Sequence, residues 1–249
     1  MISIQGLKKR IGRQEVLRGV DLEIQDGETL VIVGRSGCGK SVLLKHLVGL
    51  LTPTSGDVQV DGLSIVGLGE RRLAPIRRKV GILFQSGALF DSMTVEQNVA
   101  FPLREQGMRD LGEIRRRVAE ALEVVDLAGT QPKMPDELSG GMRKRVALAR
   151  SIIGSPSHIL YDEPTTGLDP VVSDSINHLI RRLQRRLQVT SVVVTHDMKS
   201  AFHVADRIAY LDGGVIYFLG TVEEMRASRD PRILDFIEGR SGDTDERAA

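Results

Sequence analysis

Several short stretches carry residues whose types and spacing suit chemistry on an anion. "GRSGCGKS" (34–41) follows the apolar run "TLVIV" and has the form GxxxxGK[ST]. Gly34 and Gly39 let the backbone turn its N–H groups inward, and a helix starting there adds partial positive charge, so the loop can cradle a phosphate. Lys40 would then reach the outer phosphates and the Ser41 hydroxyl would face Mg2+. Arg35, Ser36, Gly37, Cys38 and Val42 complete the loop and helix start around the anion. A thiol at a helix start can titrate low enough to sense redox state, but a small filler is the simpler reading of Cys38.

Carboxylates follow at a distance. "HILYDEP" ends an apolar run in Asp162, placed for a metal shell, and Glu163, turned to the other side to orient or deprotonate a water. Two solvated acids at a strand end would look the same in isolation. Gln85 ends "VGILFQ" and His196 ends "SVVVTH", two further polar groups at the tips of strand-like runs. Gln85 could meet Mg2+ or the attacking water, and His196 the phosphate. A second candidate anion site lies in "DELSGGMRKRVALARS" (136–151), where Ser139, Gly140 and Gly141 lead into a cationic helix. A hydroxyl and free N–H groups there suit an anion, and an ordinary N-cap needs the same residues. Met142 is an apolar residue in the next slot.

These residues need elements to hold them. Continuous apolar runs such as "TLVIV" and "SVVVT" suit strands covered on both faces, hence a parallel α/β core. Further strand patterns are "ISIQG", "VDLEI", "KVGILFQ", "HILYDE", "RIAYLDG" and "VIYFLG", and helical patterns fall near 40–50, 113–127, 141–153, 171–187 and 198–205. In the first sixty residues "EVLRGVDLEIQDGE" and "GDVQVDG" alternate and carry Asp-Gly turn signals, as in an antiparallel layer. Residues 91 to about 156 read as a helical subdomain inserted between core strands. The end, "EGRSGDTDERAA", reads as a mobile polar tail. With 34 Lys+Arg against 33 Asp+Glu, the net charge of +1 creates no global field toward nucleic acid or an anionic membrane. One cysteine excludes an internal disulfide, and no apolar run reaches the roughly 18 residues of a membrane span. A cytoplasmic location is the expectation.

Taken in order, the phosphate loop, Gln85, "LSGG", "ILYDE", "GLD" and His196 resemble the ATP-binding subunits of ABC transporters over residues 1–220. The resemblance implies a P-loop NTPase (RecA-like) core with an N-terminal antiparallel β layer and an inserted helical subdomain at 91–156; residues 221–249 would be an extension and tail. It implies ATP and Mg2+, and a head-to-tail pair of copies sandwiching two ATPs between the phosphate loop of one and the LSGG of the other. That would explain two anion sites in one chain. On this pattern Lys40 and Ser41 bind phosphates and Mg2+, Gln85 serves the metal and water, Asp162 supports the metal, and Glu163 is the catalytic base. Asp169 lies in the loop after it, His196 contacts the γ-phosphate, and the helical subdomain docks on a membrane permease at the cytoplasmic face.

Two positions depart from the family pattern. Adenine usually stacks on an aromatic where this chain has Ile11, which leaves aliphatic contact and costs about 1 kcal/mol of stacking. Met142 stands where glutamine is common. Together with "LFQSGALFDSMTVEQNVAFPLREQ" (83–106) and "DPRILDFIEG" (230–239), Met142 looks like the Mla/Mkl-type ATPases. Those work with an MlaE-like permease, MCE proteins and an accessory cytosolic subunit to move phospholipids or other hydrophobic molecules. In them a C-terminal extension reaches the opposite protomer, here residues 229–241. The 83–106 stretch puts Phe84, Leu89, Phe90, Met93 and Phe101 near Gln85, as core or as the wall of a groove for an apolar helix. The run "RRLQRRL" (181–187) reads as a solvated helix face. Rival readings are an amino-acid or other small-solute import ATPase, and a non-transport ATPase of DNA repair or cluster assembly. The DNA-repair type needs a long coiled coil between the two motifs, and no heptads occur here.

Overall fold

Alternating faces of one central sheet organise residues 1–240, which are the residues described by the computed structural model. In chain order the elements are β1 (Ile2–Ile11), β2 (Gln14–Ile24), β3 (Thr29–Val33), α1 (Lys40–His46), β4 (Ser55–Val60), β5 (Leu63–Ser64), α2 (Glu70–Arg78) and β6 (Val80–Leu83). There follow α3 (Val95–Glu105), α4 (Leu111–Val124), α5 (Gly140–Ile152), β7 (His158–Asp162), α6 (Pro170–Leu187), β8 (Thr190–Thr195) and α7 (Met198–Val204). The described chain closes with β9 (Arg207–Asp212), β10 (Val215–Thr221), α8 (Val222–Arg226) and α9 (Pro231–Ile237).

The larger sheet runs β10-β9-β3-β8-β7-β6, and all its pairs are parallel except the β9–β10 hairpin at one edge. Its inner strands are buried from end to end, as the unbroken apolar runs require. Alternate side chains serve two cores. Val31, Val33, Ile159, Tyr161 and Val193 join the cluster packed by α3–α7. Leu30, Ile32, Leu160, Val192 and Val194 join the cluster shared with α1 and the smaller sheet. That sheet is antiparallel, β2-β1-β4-β5, the layer that the alternation predicts. Of the two Asp-Gly signals, only Asp61–Gly62 closes a hairpin; it has positive φ at both residues and joins β4 to β5. Asp26–Gly27 instead carries the chain from one sheet to the other.

The helical stretch between β6 and β7 is present as α3, α4 and α5, and its core is continuous with the sheet's rather than separate. Helix α2 falls outside the expected helices: its Pro75 breaks the helical pattern, and burial of Leu73 and Ile76 holds it in place. At the other end, α9 is seated on its own chain. Ile233 is buried and the Phe236 ring stacks on Tyr210 with centroids 4.6 Å apart. Tyr217 donates to Asp230, the cap of that helix, at 2.7 Å. The polar tail read at 238–249 lies, from 241 on, outside the described residues. Among those described, no helix is long and apolar enough to cross a membrane.

Candidate functional site

Strand order decides which motifs meet. Strands β3, β8, β7 and β6 lie side by side and parallel, so the loops at their C-terminal ends share one edge of the sheet. Those loops carry 34–41, His196, Asp162–Glu163 and Gln85, which are far apart in sequence. A cleft of about 350 Å3 opens there, lined by Gln14, Val16, Ser36, Gly37, Gly39, Lys40, Ser41, Val42, Gln85, Glu163 and His196.

At the loop, Gly39 caps α1 with φ +108°, a conformation that other residues rarely adopt, and a Cβ there would press on Val16 at 3.0 Å. Gly34 is required by closeness: a Cβ would fall 2.5 Å from the Leu211 carbonyl oxygen. Cys38 packs on the core of that side, and burial raises its thiol pKa, which favours the filler reading over the redox one. The buried Lys40 ammonium donates to the carbonyls of Gly34 at 2.8 Å and Arg35 at 3.2 Å, and lies 3.7 Å from Glu163 Oε1. Ser41 Oγ donates to Asp162 Oδ1 at 2.8 Å. Hydroxyl and carboxylate oxygens facing one another at this distance, on two elements, are hard-oxygen donors fit to share a Mg2+ shell.

Glu163 is held in an unusual backbone state, φ +49°, just past the end of β7. A non-glycine residue there costs on the order of 1–3 kcal/mol and persists only where its surroundings compel it. Here the Glu163 N–H donates to Val194 O at 2.9 Å, and its carbonyl accepts from Thr166 N and from the Lys144 ammonium at 3.4 Å. The carboxylate is thereby aimed into donors: Thr166 Oγ1 at 3.0 Å, His196 Nδ1 at 3.0 Å and Thr195 Oγ1 at 3.5 Å. Because the carboxylate only accepts, Nδ1 of His196 carries the proton, and Nε2 is free to face a ligand.

Lys144, Thr166, Gln14 and Val16 enter this site without having been singled out in the sequence. Lys144 is the least visible of them. It is one base in "MRKR", yet it is buried, and its ammonium ties the Gln85 carbonyl to that of Glu163. Burial is the main influence on it and lowers its pKa. Gln85 stands two residues beyond the end of β6, in a turn rather than on the strand. Ile11 is half exposed at the β1–β2 turn and is absent from the cleft wall, where Gln14 and Val16 stand instead.

Ser139, Gly140 and Gly141 are also absent from that wall. Ser139 is the exposed N-cap of α5 and accepts from Met142 N at 3.3 Å. Gly141 is there for packing: a Cβ would meet Val172 Cγ1 at 2.6 Å. Met142 is half-buried against the core under α5, which accounts for an apolar residue beside a polar loop. Asp169 caps α6, accepting from the N–H groups of Val171 and Val172 at 3.0 Å.

This architecture, with a glycine loop closing a central parallel strand and acids on a strand close by, is that of a P-loop nucleoside-triphosphate hydrolase. The profile of one family in that class, described as ABC transporter, matches residues 17–166, more than half of the chain. The probable ribonucleotide transport ATP-binding protein mkl of Mycobacterium leprae is 41% identical over 239 residues, covering 96% of this chain and 69% of that protein. The intermembrane phospholipid transport system ATP-binding protein MlaF of Haemophilus influenzae is 39% identical over 241 residues, covering 97% and 91%. The methionine import ATP-binding protein MetN of Caulobacter vibrioides is 42% identical over 227 residues, covering 90% and 68%. The dimeric, post-hydrolysis structure of the ATP-binding cassette MJ0796 bound to ADP and Pi matches with a TM-score of 0.82 and 34% identity, covering 89% of this chain and 99% of that one. The chain belongs to the ABC transporter family, as an ATP-hydrolysing cassette.

Proposed function

We propose that this cassette hydrolyses ATP as the motor of a transporter for phospholipids or similar hydrophobic molecules, with Glu163 as general base. The observation that carries the chemistry is the Glu163 carboxylate, aimed by a left-handed backbone into His196, Thr166 and the neighbourhood of Lys40. The loop N–H groups and Lys40 would hold the β- and γ-phosphates. Glu163 would take the proton of a water aligned on the γ-phosphorus, while His196 fixes the carboxylate and turns Nε2 toward the phosphate. A bound Mg2+, held by Ser41 with Asp162 and Gln85 beside it, would neutralise charge on the phosphate oxygens.

The exposed Ser139 helix start supports a second copy as its partner, each copy offering Ser139 to the other's phosphate loop. An apolar groove supports a permease as the next partner. It measures about 450 Å3 and is walled in part by Phe84, Ala88, Phe90, Phe101 and Pro102. Phe90 and Phe101 touch with centroids 4.8 Å apart, and Phe90 is 40% exposed. An amphipathic helix at the cytoplasmic face of a membrane protein suits such a groove. The likeness to MlaF over nearly the whole of both chains supports an MlaE-like permease with MCE proteins. The likeness to MetN favours, as the second reading, a small-solute importer. Purification from detergent-solubilised membranes separates the two. Recovery with an MlaE-like permease and an MCE protein is the expected result, and recovery with an amino-acid import permease would overturn the lipid reading.

A further inference from the structure

Away from the cleft, on the flank formed by α6 and α7, Asp174, His178 and His203 converge. Asp174 and His178 are four residues apart on α6 and so share a face, and His203 reaches them from the last turn of α7. One ligand atom from each lies within 4.8 Å of the others. His178 Nε2 is 3.5 Å from one Asp174 oxygen, and His203 Nδ1 is 3.9 Å from the other. The two imidazoles meet edge to face with centroids 4.4 Å apart.

A tetrahedral Zn2+ with bonds of 2.0–2.2 Å would set its ligand atoms about 3.4 Å apart, close to the 3.5 and 3.9 Å that separate each imidazole nitrogen from an Asp174 oxygen. Those side chains are 50%, 67% and 30% exposed for Asp174, His178 and His203, which leaves the rings free to turn and a path for the ion to enter. Nearby cations do not close the site. Arg182, one turn past His178, is bonded to Asp126, and Arg181 is bonded to Asp206. Lys199, a turn before His203, is exposed and screened by salt.

We propose that Asp174, His178 and His203 form a site for a borderline transition-metal cation, with Zn2+ as its ligand and water completing the shell. Two imidazoles and one carboxylate with an open position are the donor set that such ions prefer. Its place gives the site a structural consequence. Helix α6 follows the loop from Glu163 and α7 follows His196, and the two helices are already joined by Asn177 donating to Ser200 at 2.8 Å. A metal would add a second clasp between the segments that lead away from those two residues.

The test uses the full chain without an affinity tag, with Zn2+ alone as the probe, read by titration calorimetry and by thermal melting. Wild-type protein is expected to bind one Zn2+ per chain and to melt about 5 °C higher at a hundredfold excess over the dissociation constant. In H178A/H203A, whose melting without metal checks that it folds, affinity is expected to fall at least about a hundredfold; in D174N it is expected to fall about tenfold, since the amide oxygen is the weaker donor. The absorption of Co2+ in place of Zn2+ reports the donor geometry. No binding by wild type, or equal binding by a folded H178A/H203A, overturns the site, and unchanged affinity in D174N overturns the three-ligand assignment.

Discussion

The phosphate-loop cleft and the Ser139 helix start use the same parts, glycines, a hydroxyl and the N-terminus of a helix, and differ in what surrounds them. Around Lys40 and Ser41 the chain supplies its own partners, with Asp162, Glu163, Gln85 and His196 arriving from adjacent strands. Around Ser139 the described residues supply a capping bond to Met142 and the packing of Gly140 on Leu168 and of Gly141 on Val172. One region gathers its partners from within a single fold. The other is a well-made helix start whose exposed side offers donors that nothing in the described chain uses, the condition in which a second molecule completes a site.

The sharpest way to break the comparison is at Glu163. Glu163→Gln is expected to lower turnover by roughly 10^3-fold, within the range for loss of a general base, while ATP binding persists and draws the protein into dimers seen by light scattering. Normal hydrolysis by that variant would show that the cleft's carboxylate is not the base. Next comes a mixing experiment. Lys40→Ala and Ser139→Ala are each expected to be nearly inactive alone. Mixed in equal amounts they should regain roughly a quarter of wild-type turnover, because random pairing makes half the dimers heterodimers, each with one intact composite site. No recovery from two folded variants would mean that Ser139 serves its own chain only. Melting temperature does not discriminate here, since losing the cap costs about 1 kcal/mol under either reading.

Smaller effects sharpen what each glycine does. Gly141→Ala is expected to destabilise the fold by about 1–3 kcal/mol through overpacking, and Val172→Ala in the same chain should recover much of that in chemical denaturation. If the loss persists beside Val172→Ala, the contact does not explain the glycine. The smallest effect concerns the base of the nucleotide. With Ile11 off the cleft wall and Gln14 and Val16 on it, no Phe, Tyr or Trp among the described residues lines it for the base to stack on. GTP is therefore expected to be hydrolysed within about tenfold of ATP at saturation, since aromatic stacking is worth only about 1 kcal/mol; a much wider gap would point to base-specific hydrogen bonding.

Motifs that depend on local chemistry were legible in the sequence. The loop at 34–41 follows from glycine spacing, the buried strands from unbroken apolar runs, and the antiparallel layer from alternation. Less legible were features in which one residue answers to a distant one. Lys144 looks like any base in a cationic helix until burial places it between two carbonyls. Gly141 reads as part of an anion loop, and only the fold adds that Val172 packs where its side chain would be. Ile11 holds its place in the motif order, yet the turn between β1 and β2 leaves it half exposed. Helix α2 escaped because a proline and four arginines mask its two buried anchors.

By itself the sequence determined the class of chemistry, because a phosphate cradle needs glycines, a lysine and a hydroxyl at spacings that the local backbone imposes. It also placed a serine and two glycines at a second helix start, the residue types that both an N-cap and an anion site need. Tertiary structure alone decided that four distant strand ends form one cleft, since the order β3-β8-β7-β6 is set by which strands pair and is not written in any one of them. It decided, too, the left-handed backbone at Glu163, which that residue would not choose unaided. Contacts from Val194, Thr166 and Lys144 compel it, and through it they aim the carboxylate.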